Sequence, residues 1–149
     1  MKVISDIFLL LARLVLGAIM IAHGWRRYFV VGMQSQIDYL NQFAVPQPAI
    51  FAYGATILEL VGGVFLIVGA LTPFVALAYA AQMGMTIAWT NWFRGPFLAT
   101  QGYEYHLALG AFALAFVGVG AGRASIDGLF RRGRAKPKAE TSTLDDTYV

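Results

Sequence analysis

The chain has 149 residues, 58% of them hydrophobic and only 13% charged, with 11 Lys and Arg against 8 Asp and Glu. A soluble domain carries roughly 25% charged and about 45 to 50% apolar residues, so the composition is that of a membrane protein, with room for one compact unit and no separate soluble domain. There is no cysteine, which excludes disulfides, thiol redox chemistry and Cys-ligated iron–sulfur or zinc centres within this chain.

Four apolar runs follow in order, at 4–22, 50–71, 74–89 and 105–121, each near the ~20 residues that a hydrocarbon core requires. Lys2 ahead of the first run resembles a signal peptide, but Arg13 lies inside it and no A-x-A-like cleavage site follows, so a retained first helix is expected. Residues 24–47 are too long for a turn. Within them SQIDYLNQF predicts a short amphipathic helix on the membrane surface, capped by Ser35, with Ile37, Leu40, Phe43 and Ala44 on one face. Pro46 and Pro48 then end that helix and open the second span. In the third run Ala76, Ala80, Gly84 and Ala88 recur every four residues as a smooth stripe for helix packing, while Tyr79, Gln82, Thr86 and Trp89 form a more polar face. The expected fold is therefore all-α: an integral membrane antiparallel four-helix bundle over residues 1–130, with a short interfacial helix in the first outer loop.

Residues 131–149 lack apolar periodicity and read as a disordered tail, basic and then acidic. Its Arg131, Arg132, Arg134, Lys136 and Lys138 set topology and suit anionic lipid at about 1 kcal/mol each. No folded basic surface points to nucleic acid.

Glu59 stands in the apolar stretch TILELVGG, where a lone carboxylate is costly. Counted at ~1.5 Å per residue from the outer ends of their runs, Glu59 lies about 13 Å deep and Arg13 about 15 Å. A buried Arg13–Glu59 pair is thus expected, with Gln82 at a similar level. Such a pair fixes helix register, or it marks a polar point in a cavity lined by Tyr79, Gln82 and Thr86 for a quinone-like or other amphipathic molecule; a proton relay is a third reading. A second cluster, His23, Arg26, Arg27, Glu104 and His106, gathers at the outer boundary. Glu104 and His106 are two apart and point nearly opposite ways on a helix, and no HExxH motif occurs, so no metal site is expected there. No nucleophile constellation emerges either, and no catalytic residue is assigned.

Arg13 and Gly17, the His23-Gly24 that closes the first run, LELVGG at 58–63, GALT at 69–72, Glu104, and GAGRASID at 120–127 together resemble the DoxX family of small four-helix bacterial and archaeal membrane proteins. The resemblance covers nearly all of the chain before the tail. It departs at HGWRRY, where the family often has a lysine, and at Pro73, where it has a basic residue. The family takes its name from a subunit of a thiosulfate:quinone oxidoreductase, so the resemblance implies a small membrane subunit that docks or supports a redox or oxidative-stress complex, not catalytic alone. The alternative is a binder or carrier of a lipid-soluble molecule such as a quinone. The expected partners are the bilayer, anionic lipid at the tail, and membrane or peripheral proteins of a redox complex. No intrinsic cofactor is expected, with a quinone as the external candidate, in a bacterial or archaeal cell membrane.

Seven of the Lys and Arg residues flank the terminal side and three the loop side, which places both termini in the cytoplasm. A carboxyl-terminal reporter active only in the cytoplasm is expected to give signal; activity of an export-dependent reporter instead would reverse the orientation.

Overall fold

A computed structural model describes residues 2–97, 99, 102–122 and 125–128, and all of its regular structure is helical. The basic residues Arg131, Arg132, Arg134, Lys136 and Lys138 lie outside the described residues. Helix α1 (Lys2–Trp25) runs without interruption into a π-helical turn at Arg26–Val31, so the first helical run extends well past residue 22. Gly32 breaks it at φ 85°, a conformation that glycine adopts without a Cβ clash. Helix α2 (Met33–Gln42) starts immediately afterwards. Its cap is therefore Gly32 and not Ser35, which already sits in the first turn. Ile37, Leu40 and Phe43 are half-buried as expected, but Ala44 falls beyond the helix end at φ 51° and is exposed.

Pro48 opens α3 (Pro48–Ile57), where its fixed φ and missing N–H suit the first turn. A second π-helical turn, Leu58–Gly62, joins it to α4 (Gly63–Val68), and Gly69 ends the run at φ 72°. Helix α5 (Thr72–Thr86) continues through a third π-helical turn, Ile87–Asn91, and a 3-10 turn, Trp92–Arg94; α6 (Glu104–Val119) completes the order. The runs Ile4–Val31 and Pro48–Val68 are long and apolar enough to cross a membrane, with mean hydropathies of 2.2 and 2.0, whereas Glu104–Val119 is apolar but shorter. Large apolar side chains such as Phe8, Phe74 and Phe93 are well exposed around the outside.

Backbone proximity fixes how the runs meet. A Cβ on Gly17 would stand 2.8 Å from the Gly63 carbonyl oxygen, and one on Gly63 would stand 2.9 Å from that of Gly17. The two glycines let α1 and α4 touch backbone to backbone. Gly24 lies over Glu59 and Leu60, and Arg13 lies under Gly69, so the two helices run antiparallel. Along α6, His23 meets Tyr105 while Arg13 meets Ala121, again antiparallel to α1. Ala76, Met83, Leu109, Ala113 and Phe116 fill the seam of α5 and α6 together with Tyr79, Leu16, Met20 and Leu66.

The four-residue stripe on α5 serves only in part. Ala76 is buried and Ala80 packs on the core, but Gly84 and Ala88 are exposed, and nothing approaches within 4 Å of a Cβ on Gly84. Each step of four residues turns about 400°, so the stripe drifts roughly 40° per step and has left the seam by Gly84. The polar face is the one that stays inside, with Tyr79 and Gln82 buried.

Gly17→Ala and Gly63→Ala are each expected to lower the stability of the purified protein by about 1 to 3 kcal/mol, the usual range for overpacking. Gly54→Ala, on an exposed helix position with nothing within 4 Å, should be neutral or slightly stabilising. Equal thermal shifts for all three would contradict the close crossing.

Candidate functional site

Glu59 has no exposed surface, and it emerges from the π-helical turn between α3 and α4. Its Oε1 accepts from Arg27 Nη2 at 3.1 Å and from Gln82 Nε2 at 2.6 Å. Arg27 comes from the π-helical turn after α1, and Gln82 comes from the polar face of α5. Three separate stretches of chain thus converge on one carboxylate oxygen. The expected Arg13–Glu59 pair does not form: the ion partner of Glu59 is Arg27.

The reason is the length of the first helical run. Because Gly24 packs against Glu59, Arg13 lies eleven residues toward the other end, about 16 Å along the axis. There its Nη1 donates to the Ala121 carbonyl at 2.6 Å, and the charge acting on it is that of Asp127. Asp127 in turn accepts the backbone N–H groups of Leu71 and Thr72 at 2.9 and 3.0 Å, capping the start of α5, while its own N–H donates to Gly69 O at 3.0 Å. A carboxylate at a helix amino terminus is favoured by the dipole and by the orphan N–H groups there. Gly69 is required for two reasons, its positive φ and the Arg13 guanidinium that would stand 2.5 Å from a Cβ.

Around Glu59 several buried polar atoms have no hydrogen-bond partner among the described residues: its own Oε2, Gln82 Oε1, the Tyr79 hydroxyl and His106 Nδ1. Buried orphans of this kind are uncommon and costly, and they call for an explanation. Tyr79 and Tyr105 both feel the charge of Glu59. Tyr105 pairs its hydroxyl with His23 Nε2 at 2.9 Å, with the rings stacked 5.7 Å apart. The Thr86 hydroxyl donates to the Gln82 carbonyl at 2.9 Å, and Thr90 does the same one turn on to Thr86 at 2.8 Å.

Arg27 borders three cavities that open at this end among the described residues. One of about 80 Å³ lies beneath α2, with Gln82, Thr86 and Trp89 on one side and Phe51 and Leu40 on the others. A second of about 340 Å³ takes in His23, Arg26 and Gln36. A third of about 320 Å³ lies between Arg27, Arg94 and His106.

The two clusters seen in the sequence are therefore one at this end: Glu59, Gln82, Tyr79 and Thr86 join His23, Arg26, Arg27 and His106. Arg13 is excluded, and Glu104, exposed at the start of α6, stands at the rim. Among the described residues no group of three or more His, Asp or Glu is placed to hold a metal. Sequence reasoning missed Tyr105, Thr90, Asn91, Arg94 and Asp127. Only Asp127 left a signal, since it closes the GAGRASID stretch.

This geometry defines the class: an all-helical protein with an apolar exterior and a buried, cation-held carboxylate under a set of cavities at one end. The DoxX family profile matches residues 8–92, more than half of the chain, and the chain belongs to that family, which is membrane-associated. It is also 29% identical over 113 residues, covering 76% of this chain and 81% of the other, to a Bacillus subtilis (strain 168) protein named "Putative oxidoreductase CatD". No solved structure matches the chain.

Arg27→Leu, which leaves Glu59 buried without its cation, is expected to destabilise the protein by about 3 to 5 kcal/mol, and the double change with Glu59→Leu should recover much of that. Arg13 and Glu59 substitutions should instead add to within about 0.5 kcal/mol, as distant sites do. Denaturant unfolding of the three single and two double variants in detergent reads both; a strong Arg13–Glu59 coupling would overturn the assignment.

Proposed function

We propose that the protein is a multi-pass membrane protein, a four-helix bundle with both termini cytoplasmic. In this reading it acts in a membrane redox system as a small subunit, not catalytic alone, that supplies a binding site for a lipid-soluble quinone or quinol. The family and the oxidoreductase named among its relatives support the redox setting.

The observation that carries the ligand is Gln82. Its Nε2 is committed to Glu59, so its orientation is fixed; the side chain lines the apolar cavity, and its buried Oε1 has no donor among the described residues. A ligand hydroxyl would satisfy it. Arg27, on the same cavity, has further N–H groups to offer a carbonyl oxygen. Phe51 and Trp89, packed edge to face at 5.1 Å, give a flat ring an apolar wall. Donor, acceptor and aromatic wall together match the two faces of a quinone–quinol couple, and the cavity of about 80 Å³ takes the edge of the ring that carries one carbonyl or hydroxyl rather than the whole head group. The chain's own residues bind and orient the head group; the redox chemistry is the quinone's, with electrons exchanged with a partner protein.

Binding of a short-chain ubiquinone and of its quinol to the detergent-purified protein is expected, and both Gln82→Met and Trp89→Ala should weaken it at least ten-fold. Trp89→Ala leaves the Glu59 contacts intact and so separates lost binding from lost folding. Absence of binding by the folded wild-type protein would sink the quinone reading.

A further inference from the structure

The apolar cavity has two unlike walls. One is made by α2, through Gln36, Tyr39 and Leu40, together with Arg27. The other is made by Phe51 and Ala55 of α3, Met85 of α5 and Trp89 of the turn that continues it. Met85 is 38% exposed, whereas Phe51, Ala55 and Trp89 are half-buried. A side chain that both lines a cavity and shows on the outside stands at its mouth. Ala55, on the same wall, lies seven residues inside the start of α3 at Pro48, about 10 Å along the axis. In a bundle that spans the bilayer, that depth meets hydrocarbon and not water. Ala81 and Ala78, four and seven residues before Met85 and so on its side of α5, are exposed as well. Their short side chains leave a shallow track that runs along the helix from the mouth.

We infer that the mouth at Ala55 and Met85 is a lateral entrance from the bilayer, and that the ligand is an isoprenoid quinone whose chain leaves between α3 and α5 and lies along Ala81 and Ala78. The inference rests on the quinone reading of this cavity and names the class of quinone and its route. A cavity of about 80 Å³ holds only the edge of the ring, so the rest of the ring and its chain lie beyond one of the two walls. Past α2 the chain would run against the Gln36 amide and the Arg27 guanidinium; past Met85 it enters hydrocarbon, where its apolar surface stays out of water. Methionine suits that position, because an unbranched side chain with three rotatable bonds swings aside for a ligand and closes behind it. Lipid tails are as apolar as the chain, so the track supplies orientation and a route, and the affinity stays with the head group.

The test is photolabelling of the full-length protein in phosphatidylcholine nanodiscs with a ubiquinone analogue whose chain of two isoprenoid units ends in a diazirine. Peptide mass spectrometry then locates the label, and only labelling that a short-chain ubiquinone displaces is counted. The expected result is label within residues 51–58 and 78–85, most of which is lost in Met85→Trp, where a rigid ring fills the mouth. Circular dichroism checks that variant, and the position of the label carries the test if it does not fold. Label confined to residues 22–31 or 33–42 means a chain that leaves past α2 and overturns the inference, as does unchanged labelling of a folded Met85→Trp. If no displaceable label forms although short-chain ubiquinone binds, the entrance is wrong and the quinone reading stands. If short-chain ubiquinone does not bind the folded wild type at all, that reading fails and the inference falls with it.

Discussion

A carboxylate with no exposed surface organises one end of this molecule. Glu59 stays there because Arg27 and Gln82 both donate to one of its oxygens, and burying a charge is tolerable only when it is paired and hydrogen-bonded. The demand reaches beyond the three side chains. Gly24 must be a glycine for α1 to lie over Glu59, since a Cβ there would stand 3.0 Å from the Glu59 Cβ and closer still to Leu60. The crossing at Gly17 and Gly63 then holds the two helices at that distance.

The π-helical turns fit the same constraint. Arg27, Glu59 and the Thr90–Asn91 pair each come from one of them, and such turns, with their wider hydrogen-bond rings, recur at functional sites in helical proteins. Each widens or rotates a helix by a fraction of a turn; two of them carry Arg27 and Glu59, which Gln82 meets from the regular part of α5. The orphaned oxygens of Glu59, Gln82 and Tyr79 are what this convergence leaves over.

The opposite end is built differently. Arg13, the GALT turn and the GAGRASID segment close on one another through the Ala121 carbonyl, Gly69 and the Asp127 cap on α5. Every polar contact named there ends on backbone or on another charge of the clamp. That end fixes the turn between the second and third runs, whereas the Glu59 end gathers cavities around Arg27. The short motifs that mark the family thus sort into a structural clamp and a candidate binding end.

The sequence by itself determined the helical class, the apolar exterior and most of the helix boundaries, because composition, proline placement and apolar run length act locally. It also marked Glu59, Gln82 and Tyr79, since polar groups in an apolar run stand out whatever they touch. Ser35 misled because the glycine break at Gly32, three residues earlier, set where α2 begins, and Ala44 because the helix ends at Gln42. Which cation meets Glu59 was decided only by the tertiary structure. Counting depth from assumed helix ends made Arg13 and Glu59 level, but the first run continues through Val31 and the glycine crossing sets the register between helices. A shift of that register by a few residues changes the partner of a buried charge without changing any local signal, so only the packing of one backbone against another could choose Arg27.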